Sequence, residues 1–265
     1  MNNKYLLLIL FQKGIISVDE SISNLIYQTH NYHFFYTEIK PFLSIEKIRI
    51  IENELLSIDS NVFDNYEEKK QNGENETYIC TLIRNDSIQE FVRYVNLTKF
   101  PISSQIKPSI FETNEFLIEN EPTLIEYAAF FGSFKIFTYL KSKLNEIPKN
   151  LFLYSIHSNS SKMIHVFEDN NIEICSSFTD NLIESIKCHH NSIADYLENK
   201  RDQSLEVDEE AVIENAFNSY NYFFFPEKFD QPYIFYYFYH FEYFEIVDFI
   251  LKSKEEEIKK ELIQK

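Results

Sequence analysis

Glycine is almost missing from this chain: Gly14, Gly73 and Gly132 are the only three, and they stand far apart. A loop that cradles phosphate needs several glycines close together, because backbone N–H groups must reach the ligand with no Cβ in the way. P-loop and dinucleotide-binding folds are therefore poor candidates. Cysteine is scarce too. Cys80, Cys175 and Cys188 are odd in number and show no paired spacing, which fits thiols in a reducing cytoplasm rather than a disulfide framework. Basic residues fall well short of acidic ones, 25 against 42, for a net charge of −17. Such a chain repels phosphate backbones and anionic lipid, and no basic run offers a local exception, so neither nucleic acid nor a membrane is expected as partner. Long apolar runs are absent as well. The opening stretch from Tyr5 to Phe11 is too short to cross a bilayer and reads as the buried face of a first helix.

What is present is enough apolar material for a sizeable core, 44% of residues. The aromatics are all Phe and Tyr, alongside abundant Asn, Ile and Lys, a pattern that coding bias explains better than a special binding set. Between Ser109 and Phe134 the only charged side chains are Glu112, Glu115, Glu119, Glu121 and Glu126. They read as solvated loop and helix-start residues, with attraction to a basic partner as the alternative.

Residues 1 to about 58 read as helical. Ser17-Val-Asp-Glu20 has the form of a capping box, and Ile45, Ile48, Ile51 or Ile50, and Leu55 recur at helical spacing after Pro41. From Asn61 to Glu76 the chain turns polar and suits an exposed connector. This predicts two domains: an N-terminal helical region with its connector over 1–75, and a second domain over 76–265.

The second region repeats itself. Thr123–Leu140, Leu151–Phe167, Asn181–Leu197 and Ile234–Ile250 align without gaps. Ala128, Ser155, Ser185 and Phe238 mark the centre of a first short helix. Gly132, Asn159, His189 and Glu242 follow at the turn, and apolar pairs such as Ile136-Phe137 and Met163-Ile164 lie on a second helix. Ile79–Val95 reads as an earlier copy that turns near Asp86. Asp208–Asn221 reads as a divergent one, its second helix cut short near Pro226. Asn accepts a left-handed backbone moderately well, His and Glu less readily, so irregular turns are expected at His189 and Glu242. The tail from Lys252 to Lys265 alternates Glu and Lys and reads as a solvated helix.

The copy at Thr123 resembles the ankyrin repeat. Thr123-Leu-Ile-Glu126 stands where that family has Thr-Pro-Leu-His, followed by Ala128-Ala129 and by Gly132-Ser133 for Gly-His. Thr123 can cap the helix, with Glu126 returning a bond to the cap residue's own N–H. Glu74–Val92, Ile106–Asn114, Glu121–Ser133 and Glu184–Asn191 are similar, over nearly the whole chain, to the ankyrin-repeat proteins of trichomonad parasites, which carry a divergent ankyrin-like domain of unknown function. The resemblance implies an all-α ankyrin-type helical solenoid with shortened hairpin fingers behind an N-terminal helical cap. It also implies a generic protein-interaction role with no catalytic residues to carry over.

Stacked helix pairs leave an extended concave face, which suits a macromolecule better than a small substrate. Register places Tyr127, Tyr154, Glu184 and Tyr237 just before the helix centres, and Phe130, Phe131, His157, Lys187, His240 and Phe241 just after them. These ten are the expected partner-binding residues, unless the aromatics fold back onto the stack or the N-terminal helices cover them. No cofactor and no catalysis are expected, and the protein is expected in the cytoplasm. The rival from another class is a small hydrolase or metal-dependent enzyme around Cys188, His189 and His190. Adjacent helical residues point about 100° apart, which places those two histidines poorly for one ion. A pairing of Cys188 with His189 or His157 needs a held base and a third, orienting group. A third reading is a purely architectural or oligomerising segment.

Overall fold

The computed structural model describes residues 3–169, 177–201, 206–224, 232–246, 248–249 and 251–252, with the backbone alone for 168–169 and 232–235. Cys175, Pro226 and the tail beyond Lys252 lie outside the described residues. Within them the fold is all-α. No strand forms there, and an isolated antiparallel bridge joins Gln105 to Thr123. None of these helices is long and apolar enough to cross a membrane.

The chain divides into two compact units, one of Met1–Ala128 with Lys135–Leu144, the other of Ala129–Phe134 with Asn145–Lys265. The first contains α1 (Lys4–Gln12), α2 (Glu20–Gln28), α3 (Tyr36–Ile39), α4 (Ile45–Ile58), α5 (Tyr66–Asn72), α6 (Tyr78–Arg84), α7 (Ile88–Thr98) and α8 (Glu115–Asn120). Leu7 and Leu8 of α1 pack with Ile26, Phe34, Phe35 and Ile39, as the apolar opening stretch predicts. Ile51 and Leu55 of α4 pack with Tyr36, Val62, Tyr66 and Phe111, which settles the register of that helix on Ile51 and leaves Ile50 exposed. Each such fully buried side chain contributes about 1.5–3 kcal/mol relative to exposure.

Three local expectations for this unit are corrected. The cap of α2 is Asp19, whose carboxylate accepts the Ile22 N–H at 2.8 Å, because the helix starts at Glu20 and leaves Ser17 outside it. The polar stretch 61–76 is no exposed connector. It forms α5, buries Val62, Tyr66 and Asn75, and sinks the Lys70 stem into the core while its ammonium meets Glu38 and Glu67, each at 2.7 Å. Glu112 is not solvated either. Its carboxylate is buried and accepts N–H groups of Asn75, Thr113 and Asn114, while burial raises its pKa against those bonds.

Helices α9 (Leu124–Phe130) and α10 (Phe134–Lys143) lead on to α11 (Leu151–His157), α12 (Ser161–Asp169), α13 (Phe178–Lys187), α14 (Asn191–Lys200), α15 (Glu209–Asn218) and α16 (Pro232–His240). The Thr123 N–H donates to the Glu126 carboxylate at 2.7 Å, the return bond expected from the Thr-x-x-Glu spacing. The helix centres Leu82, Ala128, Ser155, Ser185, Ala216 and Phe238 are all buried. Four residues beyond each comes a left-handed residue: Asp86, Gly132, Asn159, His189, Tyr220 and Glu242. The turns at His189 and Glu242 are thus regular, contrary to expectation. His189 N–H donates to the Ile186 carbonyl and His190 N–H to that of Ser185. Glu242 and Tyr243 repeat this on Tyr239 and Phe238, as do Tyr220 and Asn221 on Phe217 and Ala216. This paired closure satisfies carbonyls that a helix end otherwise leaves open, and it outweighs the cost of a Cβ in that conformation.

Candidate functional site

In the second unit α11 packs on α13, and α13 on α15. At three of the turns the following residue fastens its own first helix to the one before it. His190 Nδ1 bonds to the Ile156 carbonyl at 2.8 Å, Asn221 Nδ2 to that of Ile186 at 2.9 Å, and Tyr243 Oη to that of Phe217 at 3.0 Å. His189 Nε2 likewise meets the Ser219 carbonyl at 2.8 Å. Both histidines of the tempting Cys-His-His run are therefore turned to backbone carbonyls and away from Cys188. Their neighbours in sequence gave no sign of this, because the carbonyls belong to helices about thirty positions away. The recurring polar residue just after each turn was the legible signal.

The residues expected on the binding face divide by burial. Tyr127, Phe130, Tyr154, Glu184 and Tyr237 are buried, Phe131, His157 and Phe241 are half-buried, and Lys187 and His240 are exposed. The Tyr127 hydroxyl accepts a bond from Arg84 at 2.8 Å, and the Tyr237 hydroxyl donates to Glu210 at 3.2 Å. Those rings fold back onto the helices, because the positions just before the helix centres lie against the preceding first helix.

One group of side chains converges. His157 ends α11, and Cys188 caps α13, where Glu184 stands one turn earlier. His157 Nδ1 lies 3.4 Å from Cys188 Sγ, and its Nε2 lies 3.1 Å from Glu184 Oε1. The Cys188 thiol donates toward Glu184 Oε1 at 3.9 Å, and Lys187 Nζ donates to Glu184 Oε2 at 2.9 Å. The Phe130 ring stacks on the imidazole with centroids 4.5 Å apart. Burial works against the Glu184 carboxylate, yet hydrogen bonds from His157 and Lys187 hold its pKa below the ordinary value.

Cysteine, histidine and carboxylate in contact have the makings of a nucleophile, a base and an orienting group. The electrostatics run the other way. Burial, with the Glu184 charge next to it, pushes the Cys188 thiol up to about 12. It also sits at a helix C-terminus, where the negative end of the helix dipole disfavours a thiolate, whereas activated thiols sit at helix N-termini or beside cations. The arrangement holds a protonated thiol, and the same negative environment favours a cation. Comparison with family models, curated proteins and solved structures gives no match for this chain.

Proposed function

We propose that the chain is a protein-interaction module: a divergent, ankyrin-type solenoid of short helix pairs that captures another protein along the helix-end face and catalyses nothing. The observation that carries this reading is the recurring turn, with its left-handed residue, its paired carbonyl closure and the side-chain bond from His190, Asn221 or Tyr243 to the preceding first helix. One helix pair cannot bury its own apolar face, so pairs fastened in register share a core and leave a continuous edge available to a partner. Within the second unit the contact residues reduce to Phe131, His157, Lys187, His240 and Phe241, which retain accessible surface. A net charge of −17 favours a basic partner. The free thiols Cys80 and Cys188 support a reducing, cytoplasmic setting.

The test is affinity capture from the native cell with mass spectrometry, comparing the wild type with a Lys187→Ala/His240→Ala double variant. Both side chains are exposed, and Glu184 keeps its contact with His157 when Lys187 is removed, so the melting temperature should fall by only a few degrees while one wild-type partner is lost. An unchanged set of captured proteins would remove this face from the reading. A stable homo-oligomer that protects the same residues would favour the architectural alternative.

A further inference from the structure

We propose that His157, Glu184 and Cys188 form a binding site for one divalent cation of the zinc class, fastening α11 to α13. A ring nitrogen, a carboxylate oxygen and the sulfur lie within 4.8 Å of one another. Ligand atoms at tetrahedral angles around zinc, with bonds of about 2.0–2.3 Å, are about 3.3–3.8 Å apart. The pairs Cys188–His157 at 3.4 Å and Cys188–Glu184 at 3.9 Å already stand near that spacing. Nitrogen, sulfur and oxygen donors together select a borderline metal over calcium or magnesium, which take oxygen alone.

Charge supports the same assignment. Two helix C-termini, those of α11 and α13, end at the cluster, and the negative end of each helix dipole favours a cation. When the ion binds, the metal–sulfur bond forms as the thiol proton leaves to solvent. The thiolate and the Glu184 carboxylate then balance the two positive charges. Only one imidazole nitrogen can ligate, so His157 presents Nδ1, already beside the sulfur, and Glu184 Oε1 moves toward it, giving up its contact with Nε2. Three protein ligands leave a fourth position for water or a donor from a partner. This inference does not depend on the interaction role proposed above.

The experiment uses the full chain. Cobalt titration should show one ion per chain with a thiolate-to-cobalt charge-transfer band that is kept in Cys80→Ser and lost in Cys188→Ser. Zinc affinity, read by competition with a chromophoric chelator, should fall about tenfold or more in Glu184→Gln and His157→Gln, since even outer partners of a ligand are worth that much. Zinc should also slow alkylation of Cys188 in the wild type, mapped by mass spectrometry, a readout that needs no variant to fold. Unprotected Cys188, or several weak ions spread over acidic surface and indifferent to these substitutions, would overturn the site.

Discussion

At the residue scale the turns set the terms. A Cβ in the left-handed region costs about 1–2 kcal/mol, yet His189, Tyr220 and Glu242 all accept it at φ of 57°, 57° and 61°, because each closes a helix end with two backbone bonds. Gly132 is the one such turn among these helix pairs where that cost is avoided. A Cβ there would also stand 3.3 Å from Ser158 Cβ. Gly132→Ala should therefore lower stability by about 1–2 kcal/mol, and Glu242→Gly, at an exposed position, should lose none. Urea midpoints at fixed m decide the matter. A neutral Gly132→Ala would show that this turn relaxes out of the left-handed region.

At the element scale the helices hold each other by their ends as much as by their faces. Asn221 is buried, and its amide serves both the Ile186 carbonyl at 2.9 Å and Asn191 Oδ1 at 2.8 Å. Asn221→Ala leaves the carbonyl with the His189 N–H alone and removes the bond to Asn191, and the expected loss is about 0.5–1.5 kcal/mol for each bond by chemical denaturation. A loss below about 0.5 kcal/mol, the range of ordinary surface substitutions, would mean that water serves the carbonyl equally well. Only part of this bond was legible from sequence: a polar residue recurs after the turns, but Tyr220 gives no glycine-like warning that a turn precedes Asn221. The helix pairs themselves were legible. Ala128, Ser155 and Ser185 sit in equivalent buried places, and the Asp86 turn falls where the aligned copies require it. What failed was the inference from polar composition to exposure. Lys70 and Glu112 are buried because partners 32 and 37 positions away supply charge or N–H groups, and no local pattern records such distances. The pairing of Cys188 with His157 was one of two that the sequence offered, and nothing local could favour it over His189, because the contact spans 31 positions. The adjacency of Cys188, His189 and His190 drew attention to side chains that diverge.

At the scale of the whole molecule, charge is the property that reaches everywhere. With 42 acidic residues against 25 basic, every acid feels mostly its own kind, and that repulsion opposes the compact state. Favourable pairs exist, such as Arg84 with Glu74 at 2.8 Å and Lys40 with Glu52 at 3.0 Å. Exposed pairs contribute about 0–1 kcal/mol each, too little to reverse the sign set by the excess. Raising the ionic strength from 0.01 M to 0.1 M shortens the screening length from about 30 Å to about 10 Å and should therefore raise the melting temperature. Capture of a basic partner should respond in the opposite sense, because steering between unlike charges weakens as salt screens it. Thermal melts and binding rates measured over the same salt series separate these effects. A melting temperature that falls with salt would place the ion pairs above the net repulsion, and capture that strengthens with salt would point to an apolar partner surface meeting Phe131 and Phe241 instead of a basic one.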